Sequence, residues 1–120
     1  MTGALTSSSA SAGIGYATGA GSTVTQITSR TTAVTINAVC GAITLVSAAG
    51  VAGYITFNVN NSTVAATDVP IVVQKSGNDL FSIYVTNIQA GRFSITFYDL
   101  TGTTVEQPVF NFIIHKSVAS

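Results

Sequence analysis

The alternation that decides the fold is clearest in the stretch 93–98, which reads Phe93-Ser94-Ile95-Thr96-Phe97-Tyr98. Phenylalanine and isoleucine occupy every second position, and serine, threonine and tyrosine occupy the positions between. Successive side chains of an extended strand point to opposite faces, so this stretch has one apolar and one hydroxyl-rich face. The same period of two recurs at 33–37, 42–45, 54–60 and 81–86. Each stretch is predicted to form a half-buried strand.

Two further stretches, 69–73 and 109–114, are almost continuously apolar. This pattern is typical of a strand in the middle of a sheet, or of a strand whose second face forms an interface. Pro70 restricts the first stretch to a strand start or a sheet edge, because proline donates no ladder hydrogen bond.

Glycine-containing turns separate the strands at short intervals, and no stretch shows the 3.6-residue apolar stripe of a helix. About eight short strands without crossover helices predict an all-β domain, either an antiparallel β-sandwich or a jelly roll. The predicted core contains Phe57, Phe81, Ile83, Phe93, Ile95, Phe97 and Phe112.

The chain carries few charges. Four of its 120 residues are Lys or Arg and four are Asp or Glu, or 7% in all, against roughly 25% in an average domain. Four cations balanced by four anions cannot form the basic surface that nucleic acid requires. No apolar run reaches the roughly 18–20 residues of a membrane span. Neither nucleic acid nor a membrane is therefore an expected partner, whereas so little charge favours self-association.

Residues 1–21 differ from the rest, since 17 of the 21 are Ala, Gly, Ser or Thr. Such a segment buries too little apolar surface to offset a backbone entropy loss of about 1–2 kcal/mol per residue. We therefore predict an extended N-terminal arm at 1–21 and a β-sandwich domain at 22–120.

Five residues are predicted to contact a neighbouring subunit. Three of them, Leu5, Ile14 and Tyr16, are the large side chains with which the arm could be anchored. The other two, Val109 and Ile113, belong to the strand whose apolar second face needs a partner.

Residue types with catalytic chemistry are scarce. His115 is the only histidine and Cys40 the only cysteine, so few nucleophile–base pairs can form and no disulfide can form within the chain. The four carboxylates are each alone in sequence, although loops could bring them together, and calcium needs about six to eight oxygen ligands. We predict no enzymatic activity, no cofactor and no metal site.

Three tyrosines, Tyr54, Tyr84 and Tyr98, occupy hydroxyl-rich strand faces. Two interpretations are open. The favoured one is the ordinary outer face of a sandwich, and the other is a sugar-binding face.

The segment 15–30 carries a recognisable pattern. It reads Gly15-Tyr16-Ala17-Thr18-Gly19-Ala20-Gly21-Ser22-Thr23-Val24-Thr25-Gln26-Ile27-Thr28-Ser29-Arg30. This resembles the N-terminal signature of small virion proteins of tailed bacteriophages and prophages, which runs roughly Gly-Tyr-x-Thr-Gly-Ala-Gly-Gly-x-Val-Thr-Gln-x-Thr-Ser-Lys. This chain departs from the signature at Ser22, where the signature has glycine, and at Arg30, where it has lysine. Further similar stretches at 34–37, 40–44, 61–69 and 112–116 extend the resemblance from about Gly13 to Lys116.

The resemblance implies a structural protein of the phage head, and most directly a capsid decoration (cement) protein that binds and stabilises the head lattice. The implied partners are the major capsid protein and further copies of the chain. Oligomers are usually closed rings, and a homotrimer would match threefold positions of a head. The implied location is the capsid surface, after assembly in the host bacterial cytoplasm, and no secretory signal is visible. The alternative is a head fibre or a host-glycan-binding module.

Overall fold

The computed structural model of the protein describes residues 3–102 and 104–119, which form eight strands and no helix. The predicted all-β class is therefore confirmed. Residues 1 and 2 of the predicted arm lie outside the described residues. The strands are β1 (Gly21–Thr25), β2 (Val34–Thr35), β3 (Cys40–Thr44), β4 (Tyr54–Asn60), β5 (Val69–Ser76), β6 (Phe81–Gln89), β7 (Arg92–Asp99) and β8 (Val109–His115).

The strands form two four-stranded sheets. Sheet 1 has the order β1-β3-β8-β5, and sheet 2 has the order β2-β4-β7-β6. Among the described strands, only β6 and β7 follow each other within one sheet, and Gly91 permits their tight turn with a φ of 83°. The arrangement is consistent with a β-sandwich, and the jelly-roll alternative stays a prediction.

The prediction that all strands pair antiparallel is wrong for two of the six pairings. β1 pairs with β3 in parallel and β2 pairs with β4 in parallel, so both sheets are mixed. The reason is that the chain crosses to the opposite sheet after each of the first three strands. Each crossing to the other sheet reverses the direction of the chain. After two crossings the chain lies beside its earlier strand in the same sheet and runs in the same direction. The other four pairings are antiparallel, as predicted.

Phenylalanine side chains join the two sheets. The ring of Phe97 contacts that of Phe57 in its own sheet at a centroid distance of 6.1 Å, and that of Phe110 in sheet 1 at 5.4 Å. Both contacts have the edge-to-face geometry that aromatic rings prefer. Phe93 and Phe112 form a second contact between the sheets at 5.9 Å.

The predicted core is largely correct. Phe81 and Ile83 are the exceptions, since they are only half-buried and pack against the margin of the core. The reason is that their strand, β6, is an outer strand of sheet 2. The other five predicted core residues, Phe57, Phe93, Ile95, Phe97 and Phe112, are buried.

Replacing Phe97 with alanine should lower the free energy of unfolding by about 3–5 kcal/mol, because the change leaves a cavity where four rings meet. Chemical denaturation followed by circular dichroism measures the loss. Leu100→Ala is the control, since Leu100 is exposed, and its effect should stay within about 0.5 kcal/mol. Equal stability of the two variants would contradict this account of the core.

Candidate interaction surface

Four of the five predicted contact residues lie together. Leu5, Ile14 and Tyr16 of the N-terminal segment and Ile113 of β8 line one groove. The fifth residue, Val109, does not line it, because Val109 lies at the opposite end of β8.

Tyr16 joins the N-terminal segment to the sheets. Its hydroxyl donates a hydrogen bond of 2.7 Å to the carbonyl oxygen of Ile114. The ladder between β3 and β8 ends at the pair Cys40 and Ile113, and beyond it the Ile114 N–H donates to the Val39 carbonyl oxygen. The Tyr16 hydroxyl thus donates to a backbone carbonyl oxygen that lies just beyond the end of the β3–β8 ladder.

Residues 3–19 have no other comparable attachment. All of them are exposed, and none lies in a strand. Within the described part of the chain, the Tyr16 bond is the one hydrogen bond that joins them to the eight strands. Their remaining side-chain hydrogen bonds are local, such as the 3.0 Å bond that the Ala12 N–H donates to the Ser9 hydroxyl. The segment is therefore held mainly through one aromatic side chain.

The outer face of sheet 1 is apolar where β5 and β8 lie side by side. Val69, Ile71 and Val73 are alternate residues of β5, and they are 48%, 46% and 55% exposed. Ile71 pairs with Ile113, which is also exposed. β5 is an outer strand of the sheet, as Pro70 predicted, so one of its backbone edges has no strand partner.

Small side chains of β1 and β3 form the floor of a shallow groove beside this apolar row. Cys40 and Ala42 belong to the floor, whereas Ile71, Val73 and Ile113 form a wall. No charged residue lines the groove. Because Ile113 lines this groove and also the one beneath the N-terminal segment, the two form a continuous surface.

Gly41 allows the close approach of β1 and β3 on which this floor depends. A Cβ atom at position 41 would lie 2.2 Å from the backbone oxygen of Ser22. Any larger residue would therefore push β1 away from β3.

The candidate catalytic residues are not assembled into a site. His115 is exposed at the end of β8, and Cys40 is half-buried on the groove floor. Within residues 3–102 and 104–119, no three His, Cys, Asp or Glu side chains are grouped so that they could hold a metal ion. The prediction that the chain is not an enzyme stays a prediction.

A buried polar cluster was missed by the sequence reasoning, because loops distant in sequence build it. Three of the four carboxylates, those of Asp79, Asp99 and Glu106, surround the buried Arg30. The Arg30 guanidinium donates to the backbone carbonyl oxygens of Ala48 at 2.6 Å and Glu106 at 3.0 Å. The Glu106 carboxylate in turn accepts the Asp79 N–H at 3.0 Å. The cluster ties four loops together at one end of the sheets.

Burial shifts the pKa values in this cluster. It lowers the pKa of Arg30, and the attraction of Asp99, Glu106 and Asp79 opposes that shift. The pKa of Asp99 is raised by burial and, next, by the neighbouring Asp79 carboxyl group. Both causes disfavour the charged form of Asp99.

Asp68, the fourth carboxylate, is paired instead. It accepts the Ala65 N–H at 2.8 Å and the Lys116 ammonium at 2.6 Å, and these two contacts lower its pKa. The ion pair fixes the chain just after β8 against the turn before β5.

Comparisons with protein-family models, with curated proteins and with solved structures found no match to this chain. In the described residues, no helix is long and apolar enough to span a membrane.

Asp99→Asn should raise the free energy of unfolding at about pH 7, because burial and the Asp79 carboxyl group disfavour a charge at this position. The asparagine Oδ1 can still accept the N–H groups of Thr101 and Gly102, and its amide can donate to the Asp79 carboxylate. In the wild type, the raised pKa of Asp99 means that stability falls as pH rises from the ordinary carboxyl pKa through the raised value. The gain in stability of Asp99→Asn over the wild type should therefore become smaller as the pH falls toward about 4.

Asp68→Asn is the matched control, and its expected effect on stability has the opposite sign. Since the pKa of Asp68 is lowered, its contribution is present above the ordinary carboxyl pKa and is lost as pH falls below it. This variant should be less stable than the wild type at neutral pH. Thermal denaturation across the pH range tests both, and a destabilised Asp99→Asn protein at neutral pH would refute the description of the cluster.

Proposed function

We propose that this chain is a structural protein of a bacteriophage virion, a capsid decoration (cement) protein that binds the assembled head lattice. The observation that carries the proposal is the continuous, mainly apolar surface from the N-terminal segment, through Ile113, to β5, in which Lys116 is the one charged residue among the described residues that line it. Exposed apolar surface of this kind marks protein–protein interfaces. The resemblance of residues 15–30 to small virion proteins supports the head as the place where it binds.

Cementing works by mass action. A protein that binds the assembled lattice, and not the separated subunits, stabilises the assembly by its own binding free energy. Because many copies bind one head, a modest binding free energy per copy adds up to a large total stabilisation. The lining of the groove on sheet 1 carries no charge, so attachment there depends on apolar burial and backbone hydrogen bonds, which salt screens little.

The N-terminal segment is, in this proposal, an extended arm that attaches to the capsid. Its small side chains let a neighbouring backbone approach closely, and an extended chain can pair with a strand edge of another protein. Leu5 and Ile14, both largely exposed, would be covered on binding. Tyr16 would position the arm through its bond to the Ile114 carbonyl oxygen.

Further copies of the chain are the second proposed partner. The apolar row on β5, with the unpaired backbone edge of this strand, offers a surface for subunit contacts. A closed ring would cover this row in every copy, and a homotrimer suits threefold lattice positions. The protein would then lie on the capsid surface after assembly in the host cytoplasm, without a cofactor and without catalysis.

Removal of residues 1–19 should leave the thermal unfolding transition almost unchanged, since residues 3–19 are exposed and β1 begins only at Gly21. Binding to heads should weaken by about tenfold or more, because the arm's apolar anchors are lost. Co-sedimentation with heads purified from a phage that lacks this chain measures the binding. Tyr16→Ala should reproduce part of the loss.

Ile27→Ala serves as the control, because Ile27 is exposed and lies outside both grooves. It should bind heads as the wild type does. If the truncated and full-length chains bind heads equally, the arm does not contribute to binding and serves only as a linker. If the full-length chain binds no such heads, the decoration role is refuted.

A further inference from the structure

The outer face of sheet 2 carries three tyrosines, and the ring of Tyr54 contacts the rings of the other two. The ring centroid of Tyr54 lies 5.2 Å from that of Tyr98 and 6.3 Å from that of Tyr84. Tyr54 is 65% exposed and Tyr84 is 50% exposed. Tyr54 and Tyr98 are a directly opposed cross-strand pair, which accounts for their contact.

A row of hydroxyl groups lies beside the tyrosines. The Thr96 hydroxyl is within 2.8 Å of the hydroxyls of both Thr56 and Thr86, so one row spans β4, β7 and β6. Three hydroxyls possess three hydrogens, and the two bonds use two of them. At least one donor and several acceptor lone pairs therefore face solvent. Tyr84 lies directly opposite Thr96, so the row adjoins the aromatic cluster.

Charge is nearly absent from this face. The outward residues of β4 and of β7 are hydroxyl, amide or tyrosine side chains except Arg92, which starts β7 at the end far from the tyrosines. An anionic ligand would find no countercharge near the aromatic cluster, and a purely apolar ligand would bury the hydroxyl row without partners. The occupant that fits is uncharged, with an apolar face and many hydroxyl groups.

We propose that the tyrosine cluster and the threonine row form a binding platform for a neutral carbohydrate chain. The C–H face of a sugar ring would stack on Tyr54 and Tyr84, while the sugar hydroxyls exchange hydrogen bonds with Thr56, Thr86 and Thr96. Because the outer face of a sheet is open, it suits an extended chain better than a single, deeply enclosed sugar. This platform lies on the sheet opposite to the proposed capsid-binding surface, so both surfaces can be occupied together.

The full-length protein alone, without heads, is sufficient for the test. Affinity electrophoresis through gels that contain a soluble β-glucan, a mannan or a galactan measures binding to neutral chains, and polygalacturonate provides the anionic comparison. The chain contains four tyrosines and no tryptophan, so intrinsic tyrosine fluorescence reports mainly on the platform. We expect at least one neutral polysaccharide to retard the protein and to change this fluorescence, and polygalacturonate to do neither.

Variants separate stacking from a general effect on the sheet. Tyr54→Ala should weaken binding by roughly threefold to tenfold, whereas Tyr54→Phe, which keeps the ring, should bind nearly as the wild type. Thr96→Val removes the central hydroxyl at almost constant shape and should also weaken binding. Ile27→Ala is the control that should leave binding unchanged, and circular dichroism verifies that each variant is folded.

The proposal is overturned if no neutral polysaccharide retards the protein, if only polygalacturonate does, or if folded Tyr54→Ala and Thr96→Val bind as the wild type does. Its failure would leave the capsid role untouched, since no head takes part in the assay. Conversely, removal of residues 1–19 should weaken head binding without changing retardation by the polysaccharide.

Discussion

The contact between Phe97 and Phe110 across the two sheets is the interaction on which the rest of the structure depends. It places the apolar face of β7 against that of β8, and strand alternation then determines the direction of every neighbouring side chain. Because the inward positions are taken by phenylalanine, isoleucine and valine, the outward positions alone decide what the protein presents to partners. Two outer faces result from one core, and they differ in chemistry.

The two faces suit different kinds of partner. On sheet 1, β5 exposes Val69, Ile71 and Val73, and these continue through Ile113 to the groove beneath the N-terminal segment. On sheet 2, tyrosine and threonine side chains take the corresponding outward positions. A protein with such faces can bind an apolar protein surface on one side and leave a hydroxyl-rich surface free on the other. That division agrees with a protein that coats a particle.

The sequence predicted seven of the eight described strands, all but β1, and most of the core, because a period of two directly reports which side chains share a face. It did not reveal which strand lies beside which, so the parallel pairs β1–β3 and β2–β4 were missed, as was the marginal position of Phe81 and Ile83. Leu5, Ile14 and Tyr16 were identified as the large side chains of a small-residue segment. Their meeting with Ile113 depends on a hydrogen bond to the Ile114 backbone, for which no sequence signal exists. Arg30 was equally hidden, because its partners are backbone carbonyls and carboxylates from distant loops.

A cryo-EM reconstruction of the phage particle to which this chain is proposed to belong tests the central claim most directly. The account predicts density for the two four-stranded sheets at repeated positions on the outside of the head. Residues 3–19 and Ile113 should face the capsid or neighbouring copies, and Tyr54 should face solvent. Density for this chain in the tail or none on the head would contradict the account, as would a head-bound copy whose tyrosine face is the one buried against the capsid.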